Sequence, residues 1–185
     1  AVPITTVIIN NQNVQKIKNF ESINIYSYLE SNDEAQLIED LKDELSNTSI
    51  ISAKIFPYYK SNNQFDTYID SYGFEYSDLM IVEQNVVTNN KDYFSAFSYH
   101  FKDDISNTLY LDIINKNPNI KINNYNEGEF GFYSITIFEK NNNEYNNQIK
   151  VNSYFDFEEN TEILIPKKSD NISDNNAFKA LLYLL

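Results

Sequence analysis

INIYSYLE (23–30), SNDEAQLIEDLKDELSN (31–47), TSIISAKIFPYYK (48–60), SNNQFDTYIDSYG (61–73) and YSDLMIVEQNVV (76–87) follow one another as strand, helix, strand, helix, strand. Ile23–Tyr28 is short and rich in Ile and Tyr, a composition suited to a pleated, largely buried strand. Ser31 stands three residues before Glu34, the spacing of a capping box, and Asp33 and Glu34 place negative charge at the positive end of the helix dipole. Ala35, Ile38, Leu41 and Leu45 recur at helical spacing between charged residues, which predicts one buried stripe. Ile50–Phe56 predicts the second strand, ended by Pro57, which lacks a ladder donor. Phe65, Tyr68, Ile69 and Tyr72 predict a second helix, with Gly73 in the left-handed position after it. Leu79–Val82 is a compact apolar run, as expected of a strand covered on both faces. Strands alternating with helices predict right-handed crossovers, a parallel sheet and an α/β fold.

The remaining chain is less regular. Val2–Asn10 predicts a strand, and residues up to 19 a lead-in. Thr88–Asp92 is a polar break and a candidate hinge, and Tyr93–Phe101 is dense in aromatics. Ile105, Leu109 and Ile113 predict a helix ending before Pro118, followed by a short strand at Ile120–Ile122. In Phe132–Phe138, Tyr133, Ile135 and Ile137 alternate with Ser134 and Thr136, which predicts a strand with one wet face. Asn141–Asn147 reads as a loop, Val151–Phe157 and Thr161–Ile165 as two strands, and Asn176–Leu184 as a helix capped by Ser173 or Asp174.

The order INIYSYL, amphipathic helix, SAKIFPYY, aromatic helix, SDLMIVEQ resembles the first lobe of the type II periplasmic solute-binding proteins. ILIPKKSDNISDNNAFKALLYLL (163–185) is similar to the closing segment of that family, where a strand ending in "IPKxS" leads into an Ala- and Leu-rich helix. The chain is shorter than most members, so the resemblance implies a two-lobed fold with a reduced second lobe. One lobe would combine 20–87 with 151–185, and 92–150 would form the smaller one. The function implied is non-enzymatic capture of a small solute outside the membrane, delivered to a transporter or sensor. An extracellular or cell-surface location goes with it, and a lipid anchor is one option, since the numbering starts at Ala1 without an initiating Met.

Composition narrows the chemistry. The net charge of −13 and the absence of a Lys cluster argue against nucleic acid and leave room for a polar or cationic ligand. Arg is absent and about one residue in six is Asn, a bias spread along the whole chain that A/T-rich codons account for. With Cys 0 there are no disulfides and no thiolate chemistry. His100 is the single histidine, so a zinc set or a catalytic triad lacks members; a structural role is expected for it, and no metal or cofactor. Asp103/Asp104, Glu127/Glu129 and Glu158/Glu159 are adjacent acids, a pattern of solvated loops rather than of facing catalytic pairs.

Open α/β sheets bind ligands outside the carboxyl ends of their strands. The candidate ligand-binding residues are therefore Ser27 and Tyr28, Tyr58 and Tyr59, and Glu83 and Gln84, a set of flat aromatic faces and hydrogen-bonding groups. With Tyr 15 in the chain, some tyrosines fall at strand ends by chance. The expected protein is a monomer holding a small-molecule solute. The alternatives are a surface interaction module without a working cleft and, last, a small hydrolase using paired carboxylates.

Overall fold

The fold comes from a computed structural model that describes residues 18–57, 73–99, 104–125 and 132–185. The expected strand at Val2–Asn10, the helix at Phe65–Tyr72, His100, Asp103 and the Glu127/Glu129 pair lie outside those residues. A mixed six-stranded sheet carries helices on both faces. Its strands are β1 (Ser22–Ser27), β2 (Ser52–Pro57), β3 (Leu79–Glu83), β4 (Lys121–Tyr125), β5 (Phe132–Phe138) and β6 (Thr161–Leu164), in the order β2-β1-β3-β6-β5-β4. β1 pairs parallel with both β2 and β3, as expected of the first unit. The rest of the sheet is antiparallel: β6 runs against β3 and β5, and β4 against β5. Residues 92–150, expected to form a smaller lobe, thus add β4 and β5 to the same sheet as β1–β3, joined through β6.

Alternation along each strand makes two cores. Ile23, Ile25, Ile81, Ile135, Ile137 and Ile163 are buried on one face. Over them lie α1 (Glu34–Glu44), α4 (Asp104–Lys116) and α6 (Asn176–Leu184), with α6 packed against α1, α4 and β1. On the other face Met80, Val82 and Leu164 pack with Phe74, with Val87 of α2 (Gln84–Asn89) and with Phe94 of α3 (Lys91–Phe97). Every residue of β3 is therefore buried, the physical reason its run is apolar without alternation.

Several local expectations change. The cap of α1 is Asp33, whose side chain accepts from the Gln36 amide, while the Ser31 hydroxyl donates to the Tyr154 carbonyl. The buried stripe runs Leu37, Leu41, Leu45 with Ile38 beside it, and Ala35 is exposed. Gly73 does sit in the left-handed region, at φ 69°. The polar break at 88–92 is the junction of α2 and α3, so the aromatic stretch begins as helix, and Ser98 contributes one isolated bridge to Pro166. The loop at Asn141–Asn147 contains a short helix, α5 (Asn143–Asn146). Val151–Phe157 is not a strand: a 3-10 turn at Lys150–Ser153 leads into unpaired chain. Val151, Tyr154, Phe155 and Phe157 are buried in the first core, which is why the segment is apolar. α6 starts after Asn175 at φ 63°, and Asp174 accepts from the Asn176 amide.

Candidate functional site

β1 and β3 run parallel and end side by side, and β6, running the other way, begins next to the end of β3. Three chain segments thereby meet at one edge of the sheet. Ser27 is fully buried and its hydroxyl accepts from the Leu29 amide, so it shapes the turn rather than facing a ligand. Tyr28 is half-buried; its amide donates to the Ile81 carbonyl and its hydroxyl lies 2.8 Å from the Thr161 hydroxyl. Its ring stacks on Phe157 with centroids 6.1 Å apart. Burial pushes the Tyr28 phenol up to about 12; the Thr161 bond opposes this, and the charges of Glu83, Glu159 and Glu158 add to it. Tyr58 and Tyr59 lie outside the described residues.

Glu83 is 5% exposed, at the last position of β3. Gln84 opens α2; its amide donates to the Asn160 carbonyl at 2.8 Å and its side-chain oxygen accepts from the Asn160 carboxamide at 3.3 Å. Glu83 and Gln84 line a cavity of about 220 Å³ together with Asn85, Thr88, Glu159 and Asn160. Of the six expected site residues, Glu83 and Gln84 line this cavity, while Tyr28 stands outside its lining, bonded to Thr161 and stacked on Phe157. Two of the cavity's side chains, Glu83 and Glu159, carry carboxylates, and Glu159 also meets Lys140 at 3.6 Å on the surface.

Gln84 also hydrogen-bonds Glu162, and that residue is the surprise of the sheet. Val82 stands opposite Glu162 and Glu83 opposite Thr161, so the two acids point to opposite faces. Glu162 is 0% exposed. Its carboxylate accepts from the Tyr125 hydroxyl at 2.8 and 2.7 Å and from the Ser134 hydroxyl, with Asn123 and Gln84 completing the set. Burial raises its proton affinity above that of an ordinary carboxyl, and the donors offset part of the rise. The expected wet face of β5 is this region: Ser134 and Thr136 are buried, and they are polar because they face Glu162 and Asn123. The sequence carries one signal for it, a Glu between Thr161 and two apolar residues in the strand TEIL, to be matched with the Ser/Thr alternation of FYSITIF.

A third buried acid, in addition to Glu83 and Glu162, is Asp78, which sits just before β3, at the opposite end of that strand from Glu83. It accepts from the Asn24 amide, the Ser169 hydroxyl and the Asn171 carboxamide at 2.7, 2.5 and 3.0 Å. Asn171 also donates to the carbonyls of Asn19 and Ser22, so this network fastens the loop before α6 to the start of the sheet. Asp78 and Glu162 lie towards different ends of β3 and are not partners. Among the described residues, no group of three or more His, Asp or Glu is placed to hold a metal ion, and no helix is long and apolar enough to cross a membrane. No family model, no curated protein and no solved structure matches the chain.

Proposed function

We propose that the chain is a non-enzymatic binding domain for a small polar or cationic solute, taken up at the carboxyl edge of β3. The observation that carries this reading is the convergence of Glu83 and Gln84 with Glu159 and Asn160 around one cavity. Two carboxylates favour an ammonium group, and two carboxamides supply both donors and acceptors to orient it. The volume of about 220 Å³ lies below the 300–1,000 Å³ or so of sites for drug-sized ligands, so the solute is a short amine or a molecule of amino-acid size. Tyr28 stiffens the rim from behind, through Thr161 and Phe157.

The two-lobed type II arrangement belongs to the same proposal, with 92–150 as a reduced second lobe joined to the first through the β5–β6 pairing. Its support is the parallel β2-β1-β3 unit and the ligand edge at the strand ends. In this reading the domain works as an extracytoplasmic monomer that hands its solute to a transporter or sensor.

Calorimetric titration with short primary amines and diamines tests the site. Saturable binding that falls at least tenfold in Glu83→Gln, about 1.4 kcal/mol, is expected. No heat with any of these amines, or equal affinity in the variant, would sink the proposal. A second reading, an interaction module without a working cleft, is favoured by how closed the edge is: Glu83 is nearly covered and the Tyr28 hydroxyl is engaged with Thr161.

A further inference from the structure

A larger cavity, of about 750 Å³, lies where the turn after α4 meets the α5 segment and the end of α6. This volume is within the range of small-molecule sites. Its walls are polar and apolar in about equal measure: Pro118, Ile149 and Leu185 contribute to them, and Lys116 and Lys150 stand among the carboxamides of Asn119, Asn147 and Gln148. Both lysines are positioned by the last turn of α6. The Lys116 ammonium donates to the Leu182 carbonyl and, at 3.2 Å, to that of Tyr183, while the Lys150 ammonium sits 4.1 Å from the centre of the Tyr183 ring.

These contacts explain where the lysines are, since cations belong at a helix C-terminus. They leave both ammonium groups without a carboxylate within 4 Å among the described residues, as is also the case for Lys18, Lys54, Lys91, Lys167 and Lys179, whereas Lys42, Lys121, Lys140 and Lys168 each meet a Glu. Lys116 and Lys150 are also close enough to feel one another: burial first, and the Lys150 charge second, lower the proton affinity of Lys116, against a smaller opposing pull from Glu44. In a chain of net charge −13, two lysines on one cavity gather positive charge locally, with Asp40, which feels Lys150, and Glu44, which feels Lys116, the nearby acids that temper it. The amides beside the two lysines are lightly used. Asn119 reaches Gln148 at 3.5 Å, a long bond, and the Asn147 side chain makes no hydrogen bond among the described residues.

We propose that this cavity binds a small anionic sugar, with its carboxylate or phosphate between Lys116 and Lys150 and its hydroxyls on Asn119, Asn147 and Gln148. Ammonium groups supply the charge complement. A carboxamide both donates and accepts, which suits adjacent hydroxyls that do the same.

The test is calorimetric titration of the whole chain with glucuronate, glucose 6-phosphate, glucose and inorganic phosphate, in about 0.15 M salt to screen the general negative field. Saturable binding of glucuronate or glucose 6-phosphate, at least tenfold tighter than of glucose or inorganic phosphate, is expected, and the better of the two identifies the anion. Lys150→Gln, whose side chain is exposed, should weaken that binding at least tenfold with an unchanged melting curve. The proposal is overturned if neither anionic sugar binds, if glucose or inorganic phosphate binds as well, or if Lys150→Gln binds like the parent protein.

Discussion

The Tyr125 hydroxyl spans both oxygens of the Glu162 carboxylate, at 2.8 and 2.7 Å, from two strands away across the sheet. A fully covered carboxylate depends on such donors, because each one lost leaves charge without solvation. Tyr125→Phe should therefore lower stability by about 1–3 kcal/mol, read from urea denaturation at neutral pH. A change below about 0.5 kcal/mol would mean that the carboxylate is better solvated than its burial indicates.

Asp78 sets a pH dependence of definite sign. Burial lifts its carboxyl to about 6, with the bonds from Ser169, Asn24 and Asn171 pulling the other way. The folded chain then holds this proton more tightly than the unfolded chain does. The associated stability is complete below the unfolded value near 3.9 and is lost as pH rises through about 6. Glu162, also raised, acts in the same direction. Denaturation midpoints should fall between about pH 4 and pH 7, with Asp78 alone worth about 3 kcal/mol. Asp78→Asn should flatten that slope. A stability that climbs over the same interval would contradict the assignment.

Gly73 isolates a backbone effect. At φ 69° it occupies a region that residues with a Cβ avoid, yet among the described residues a Cβ there would meet nothing nearer than the Tyr76 ring at 4.0 Å. Gly73→Ala should cost about 1–2 kcal/mol through conformation alone. Gly73→Asn should cost less, since Asn tolerates the left-handed region. Thermal melts of the two variants compare them directly, and equal losses would point to crowding instead.

Leu181 and Leu111 separate core from surface on two helices. Leu181 is fully buried in the larger core, whereas Leu111 is 58% exposed. Leu181→Ala should lose about 2–5 kcal/mol, including the cavity it leaves. Leu111→Ala should stay within about 0.5 kcal/mol, as most exposed substitutions do. A large loss at Leu111 in dilute solution would show that this side chain is covered by something other than water.

What the sequence revealed follows from how local each signal was. Leu79–Val82 was readable as a strand because burial on both faces demands consecutive apolar residues, and α6 because Ala177, Leu181 and Leu184 repeat at helical spacing. Val151–Phe157 misled for the opposite reason. Its side chains are apolar for a shared core, but its backbone pairs with no strand, and composition cannot tell those cases apart. At the candidate site, Glu83 and Gln84, named from a strand end alone, line the cavity, and Tyr28 stands beside it on Thr161. Glu159 and Asn160 were not so named, because they reach the cavity only through the antiparallel entry of β6. Ser134 and Thr136 looked solvated for the same reason, since a distant Glu162 supplies their polar partner.

The placement of β6 also dictates an order of assembly. Among the described residues, strands β1–β3 on one side and β4–β5 on the other join in one sheet through four residues, Thr161–Leu164, which come after both groups in the chain. Neither half can complete its ladder while those residues are missing, so the sheet closes late, by contacts between distant parts of the sequence. Such topologies fold slowly and expose unpaired edges while they wait. For a chain emerging from its N-terminus, strands β1–β5 would present two unfinished sheet edges, β3 and β5, until β6 inserted between them.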